Sequence, residues 1–90
     1  MLMWNFIIYA PCKDSYLSSD QEFYKKEINN ISEIENVERL WINGKPGYKV
    51  GDYLEVELRI KTKCALKFKN DKQFRQNLWD KLDIKETCPE

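Results

Sequence analysis

Leu54-Glu55-Val56-Glu57-Leu58-Arg59-Ile60-Lys61-Thr62-Lys63-Cys64-Ala65-Leu66-Lys67-Phe68-Lys69 is the stretch on which the reading of this chain turns. Every even position except Thr62 is apolar, and every odd position except Ala65 is charged. Period two sustained over about fifteen residues is the pattern of a strand with one dry face and one wet face. It predicts a long strand from Leu54 to Phe68, with the rest of the chain laid against its dry side. The length poses a geometric problem. At ~3.3 Å per residue the stretch would reach about 53 Å, whereas a compact chain of this size has a radius of gyration of about 12 Å. A bulge would swap the faces, and the apolar parity is unchanged across Thr62. A smooth bend there, or an end overhanging the sheet, is therefore expected.

Working outward, Trp4-Asn5-Phe6-Ile7-Ile8-Tyr9 is aromatic and β-branched and stops at Ala10-Pro11. It reads as a central strand, because both faces are largely apolar. Ser19-Asp20-Gln21-Glu22 fits a capping box opening a helix. Tyr24, Ile28 and Ile31 form its buried stripe, widened by Phe23. Val37 to Ile42 is a second strand with only rough alternation. Asn43-Gly44 and Pro46-Gly47 then give two turn signals closing a hairpin onto the long strand. Asn70 caps a second helix with Phe74, Leu78 and Leu82 as its stripe and Trp79 beside it. The tail, residues 83–90, is either a short edge strand around Ile84 to Thr87 or frayed. The fold class is α+β in one domain, residues 1–90: an antiparallel sheet with two helices on one face. The expected order is β-α-β-β-α(-β), the ferredoxin-like, split βαβ arrangement.

Ninety residues leave room for one core. The chain is 42% hydrophobic and 33% charged, a globular composition. Its 15 basic and 15 acidic residues cancel, against the clear basic excess of a dedicated non-specific nucleic-acid binder. The charges are unevenly placed. The charged residues within 59–75 are basic apart from Asp71, and those within 14–38 are mainly acidic. The cysteines Cys12, Cys64 and Cys88 are odd in number and widely spaced, and histidine is absent. That composition points to free thiols in a reducing compartment, with no metal or cofactor expected. The apolar N-terminus has no basic flank and is too short to span a bilayer, so the expected location is cytoplasmic, without membrane association.

Two surfaces compete. The acidic residues Glu33, Glu35 and Glu38, with Trp41 and Tyr48 as anchors at the stems of the turn-rich loop, form the candidate partner-binding site. Arg59, Lys61, Lys63, Lys67 and Lys69, on one face of the expected strand, form the alternative, a track for a phosphate backbone. Either set also reads as a solvated surface, and lysines on a strand guard against edge pairing. Cys12 near a helix start raises the question of an activated thiol, with no histidine base to complete a nucleophilic pair.

An enzyme is not expected. Without histidine, acid–base work near neutrality falls to shifted carboxylates, Lys, Tyr or Cys, and the three glycines sit in turns rather than a phosphate loop. The expected function is a small protein–protein interaction module. Its sharpest form is an inhibitor or immunity-type protein that occludes the active site of a basic partner such as a nuclease toxin. The alternatives are a nucleic-acid-binding domain using the basic residues 59–75 and a small histidine-free ribonuclease toxin. The oligomeric state is not legible.

Overall fold

The computed structural model describes residues 4–42 and 49–87. Strand β1 (Trp4–Pro11) leads to helix α1 (Leu17–Asn29), then to strands β2 (Ile34–Ile42) and β3 (Tyr53–Ile60). A 3-10 turn (Thr62–Cys64), helix α2 (Ala65–Asn70) and helix α3 (Lys72–Asp80) complete the order. The sheet is antiparallel with order β1-β3-β2. The molecule is α+β, with a three-stranded sheet and, among the described residues, three α-helices rather than two.

The first half of the period-two stretch behaves as its pattern requires. Leu54, Val56, Leu58 and Ile60 are buried, while Tyr53, Glu55, Glu57 and Arg59 face the other way and are half-buried. The second half does not. The strand ends at Ile60 and residues 62–70 are helical, so the long strand to Phe68 is overturned. Two physical terms decide it. Ala, Leu and Lys favour helix over strand, and Cys64 and Phe68 stand four apart, so one helical face turns Phe68 fully and Cys64 and Ala65 partly inward. Leu66, on the dry parity of a strand, is instead 73% exposed, whereas Phe68 is fully buried. The length problem disappears with the strand: the radius of gyration is 12.9 Å.

The core lies on the even-numbered side of the sheet. Ile8, Ala10, Val56 and Leu58 pack with Tyr24 and Ile28 of α1, Phe68 of α2, and Trp79 of α3. Phe68 and Trp79 lie 6.0 Å apart, and Phe6 is within 6.4 Å of both. Such rings each contribute a large apolar area to a small core. Trp79, expected beside the α3 stripe, is its most buried member.

Several local expectations are corrected. The central strand is β3, not β1. The apolar Ile7 that suggested a central β1 is 43% exposed on the uncovered side. The outer edge of β1 is met near its end by one antiparallel bridge, Tyr9 to Lys85, at 2.7 and 2.9 Å. That bridge is what stands in place of a strand around Ile84 to Thr87.

The helix starts also shift. Ser19 lies inside α1, whose N-cap is Tyr16 with no side-chain cap bond. Asp20, inside the expected capping box, is buried and accepts the backbone N–H groups of Lys13 and Asp14, each at 3.2 Å. It thereby fastens the loop that leads into the helix. Asn70 ends α2, and its neighbour Asp71 caps α3 by accepting from the Phe74 N–H at 3.0 Å. Phe23 does not widen the buried stripe of α1; it is 44% exposed and stacks edge-on against Tyr24.

Strand β2 starts three residues earlier than its alternation indicated. The register explains why. Ile34 pairs with Ile60 but Asn36 with Arg59, and Val37 pairs with Leu58 but Arg39 with Glu57. Glu35 and Glu38 are the extra residues at these two irregularities, and each bulge shifts the in–out pattern by one. That is why the alternation looked ragged in the sequence.

Candidate functional site

No helix covers the odd-numbered face of the sheet among the described residues. The register lays it out in rows across the three strands. Tyr9, Glu55 and Trp41 form one row; Ile7, Glu57 and Arg39 the next; Asn5, Arg59 and Asn36 the third. Paired antiparallel residues share a face, with Cβ atoms about 4.5–5.5 Å apart.

Most charges on this face are neutralised within it. Arg39 lies 3.8 Å from Glu57 and covers the Trp41 ring at 5.0 Å. Glu57 also accepts from the Asn5 amide at 2.9 Å. Glu38, turned by its bulge, places Oε1 2.7 Å from Arg59 Nε. That is a close ion pair set off the N–H direction, so the Nε–H itself has no hydrogen-bond acceptor. Glu55 differs. Its carboxylate receives the Tyr9 hydroxyl at 3.4 Å and no cation among the described residues. A carboxylate offers about four acceptor sites, so Glu55 keeps capacity facing outward between two aromatic side chains.

The acidic set is dispersed by the fold. Trp41 reaches the open face, half-buried. Glu38 is engaged by Arg59. Glu33 stands in the turn before β2, where its carbonyl accepts the Lys61 N–H at 3.0 Å, and Glu35 is exposed on the first bulge. Glu33 and Glu35 thus lie beside the start of the basic segment, in its field rather than opposite it. Tyr48, with the loop 43–48, lies outside the described residues. Sequence reasoning missed Tyr9 and Glu55, although the period-two pattern already put Glu55 on the wet face; their meeting with Trp41 depends on the order β1-β3-β2.

The basic set is likewise rearranged. Arg59 belongs to the sheet face, whereas Lys61 follows the strand and Lys63, Lys67 and Lys69 are exposed on the 3-10 turn and α2. The expected single strand face of cations does not exist. Arg75 is turned inward, hydrogen-bonded to Glu86 and to the carbonyls of Phe68 and Lys69.

The thiol Cys12 is 2% exposed at the end of β1. Burial, reinforced by the carboxylates of Asp20 and Asp52, pushes its pKa up to about 11. That is the opposite of activation. Tyr24 nearby donates its hydroxyl to the Pro11 carbonyl, and burial followed by the charge of Asp20 pushes its pKa well up. Among the described residues no three Cys, Asp or Glu side chains are arranged to hold a metal ion, and no helix is long and apolar enough to cross a membrane.

No protein-family model matches the chain, and neither a curated protein nor a solved structure matches it significantly.

Proposed function

We propose that this chain is a small protein-binding module whose working surface is the open face of the sheet. The observation that carries it is the row Tyr9–Glu55–Trp41: a carboxylate without a counter-cation among the described residues, flanked by two aromatic rings. This arrangement suits a lysine or arginine of a partner, which gains a charge-assisted hydrogen bond from Glu55 beside two aromatic side chains. It disfavours a phosphate backbone, which Glu55 and Glu57 would repel.

A basic partner follows, and with it the inhibitor or immunity reading: the module seats its sheet face over a basic active cleft, such as that of a nuclease toxin, and occludes it. Glu35 and Glu33 serve at the rim, where charge steers encounter more than it sets affinity. In this reading the chain does no chemistry of its own, in keeping with the buried, deactivated Cys12.

The test compares proteins captured from host lysate by tagged parent chain, Trp41→Ala and Glu55→Arg. A stoichiometric protein held by the parent, lost from both variants, and inhibited by an equimolar amount of the parent supports the proposal. Equal capture by all three would remove the sheet face from it. Inhibition left intact in Glu55→Arg would remove the cation site.

A further inference from the structure

A second surface, separate from the sheet face, lies where the 3-10 turn, α2 and α3 meet. Lys63, Lys67, Lys69 and Lys72 are all exposed there. Helix α2 has six residues, about 9 Å of axis, so the four lysines lie within one short stretch of the fold, with Lys63 and Lys67 four positions apart. The sole acid within residues 59–75 is Asp71, and its Oδ1 is committed to the Phe74 N–H.

The ion pairs among the described residues draw on Lys13, Arg39, Arg59 and Arg75, and on none of these four lysines. Lys67 lies over the Phe74 ring at 4.3 Å, which leaves its charge uncompensated. Lys67 and Lys69 in the last turn of α2 have a structural account, since cations there complement the helix dipole. Lys72 does not. It is the first residue of α3, the end at which a cation is unfavourable. A lysine placed there, next to three others, raises the local positive potential at some cost to the helix.

We propose that this corner binds the phosphate backbone of a nucleic acid, without base specificity, through Lys63, Lys67, Lys69 and Lys72. Lysine ammonium groups act as point charges that suit sequence-independent phosphate contact. A lipid surface fits less well, because interfacial binding needs a broad apolar face. Here Phe68 is turned into the core and Leu66 is the one large apolar side chain of α2 left well exposed.

The test is fluorescence anisotropy with a labelled 20-nucleotide oligo(dT) and a labelled 20-base-pair duplex, from 25 to 200 mM NaCl. Neutralising four phosphates predicts a slope of log K against log[salt] of about −3 on the single strand and about −3.6 on the duplex. Lys67→Gln with Lys69→Gln should lower the slope by about 1.4 and 1.8 respectively, while Lys25→Gln, exposed on α1, leaves it unchanged. Absence of binding at 25 mM salt would overturn the proposal. So would binding that the lysine variants do not weaken, or binding to phosphatidylserine vesicles without binding to either oligonucleotide. The sheet-face reading survives all three results.

Discussion

Arg75 and Glu86 hold the last described segment against the helices: Nε of the arginine lies 2.7 Å from Oε2 of the glutamate. The same oxygen accepts the Trp79 indole N–H at 2.7 Å, and the guanidinium also reaches the carbonyls of Phe68 and Lys69 and stacks over Phe6. One arginine thus caps α2, covers a core ring and fixes the chain beyond α3. With side chains only 12% and 20% exposed, the pair is well shielded from solvent. Removing the arginine leaves a shielded carboxylate behind, so Arg75→Ala should cost about 3 kcal/mol in urea unfolding.

The pair also sets an acid limit. Burial alone would raise the pKa of Glu86, but the hydrogen bonds from Arg75 and Trp79, with the Arg75 charge, outweigh it and hold the carboxyl below its ordinary range. A folded-state pKa below the unfolded one means stabilisation that is complete above about pH 4.3 and lost as pH falls through the folded value. Glu86→Gln should therefore be less stable than the parent at pH 7, by about 2 kcal/mol. The gap should narrow as pH falls below about 4.3. A gap that does not narrow at all in acid would show that the carboxylate charge is not its source.

Cys12 and Cys64 should separate cleanly in labelling. With its pKa near 11, the Cys12 thiol is about one part in a thousand ionised at pH 8, and it is buried. Cys64 is half-exposed. Iodoacetamide treatment of the folded chain, mapped by mass spectrometry, should modify Cys64 and spare Cys12 until denaturant is added. Rapid native labelling of Cys12 would refute the inertness assigned to it.

Leu66 and Phe68 distinguish helix from strand within the stretch that reads as both. On a continuous strand they share the dry face, and replacing either would open the core. In the structure Leu66→Lys should change stability by no more than about 0.5 kcal/mol, and Phe68→Ala should cost about 3–5 kcal/mol. Comparable losses at both positions in thermal or urea unfolding would restore the strand.

This contrast also shows what the sequence could and could not specify. From Leu54 to Ile60 alternation and tertiary burial agree, because the strand is paired on both sides and buries its even face. From Thr62 onward the same alternation coincides with a helical i, i+4 pair, and pattern alone does not rank them; helix propensity and the reach of the sheet do. The open-face site was half legible. Trp41 stood out as a large side chain beside turns, and Glu55 was visible on the wet parity. Tyr9 joins them only because β3 lies between β1 and β2, and Glu38 leaves the acidic set only because a bulge points it at Arg59. Both are properties of register, which local residue types did not encode.

Trp41 and Glu55 should affect binding far more than folding. Trp41 is half-exposed and its ring is covered mainly by Arg39. Trp41→Ala is therefore expected to cost about 1 kcal/mol of stability, and Glu55→Gln close to none. Against a bound partner, loss of the ring should reach the 2 kcal/mol or more typical of an aromatic anchor. Parallel urea titrations and partner titrations would resolve the two. A Trp41→Ala variant whose unfolding loss equals its binding loss would reduce Trp41 to a structural residue.

The outer edge of β2 offers the last test, because helix α1 closes it with side chains. Asn29 Oδ1 accepts the Val37 N–H at 3.1 Å, and the Gln21 amide donates to the Leu40 carbonyl at 3.2 Å. With bulges at Glu35 and Glu38 as well, the edge presents no continuous ladder for another strand. Asn29→Ala removes one guard. Its effect on global stability should be small, because the lost hydrogen bond, about 0.5–1.5 kcal/mol, is partly offset by the better helix propensity of alanine. The local effect should be plain: faster hydrogen exchange at the Val37 amide, by about tenfold, with exchange at Val56 and Leu58 unchanged. Asn29→Ala combined with Gln21→Ala should also raise the concentration-dependent mass seen in sedimentation, since an opened edge pairs with another copy. If Val37 exchange is unaltered in both variants, water satisfies that edge as well as Asn29 does, and any block to strand addition rests on the bulges alone.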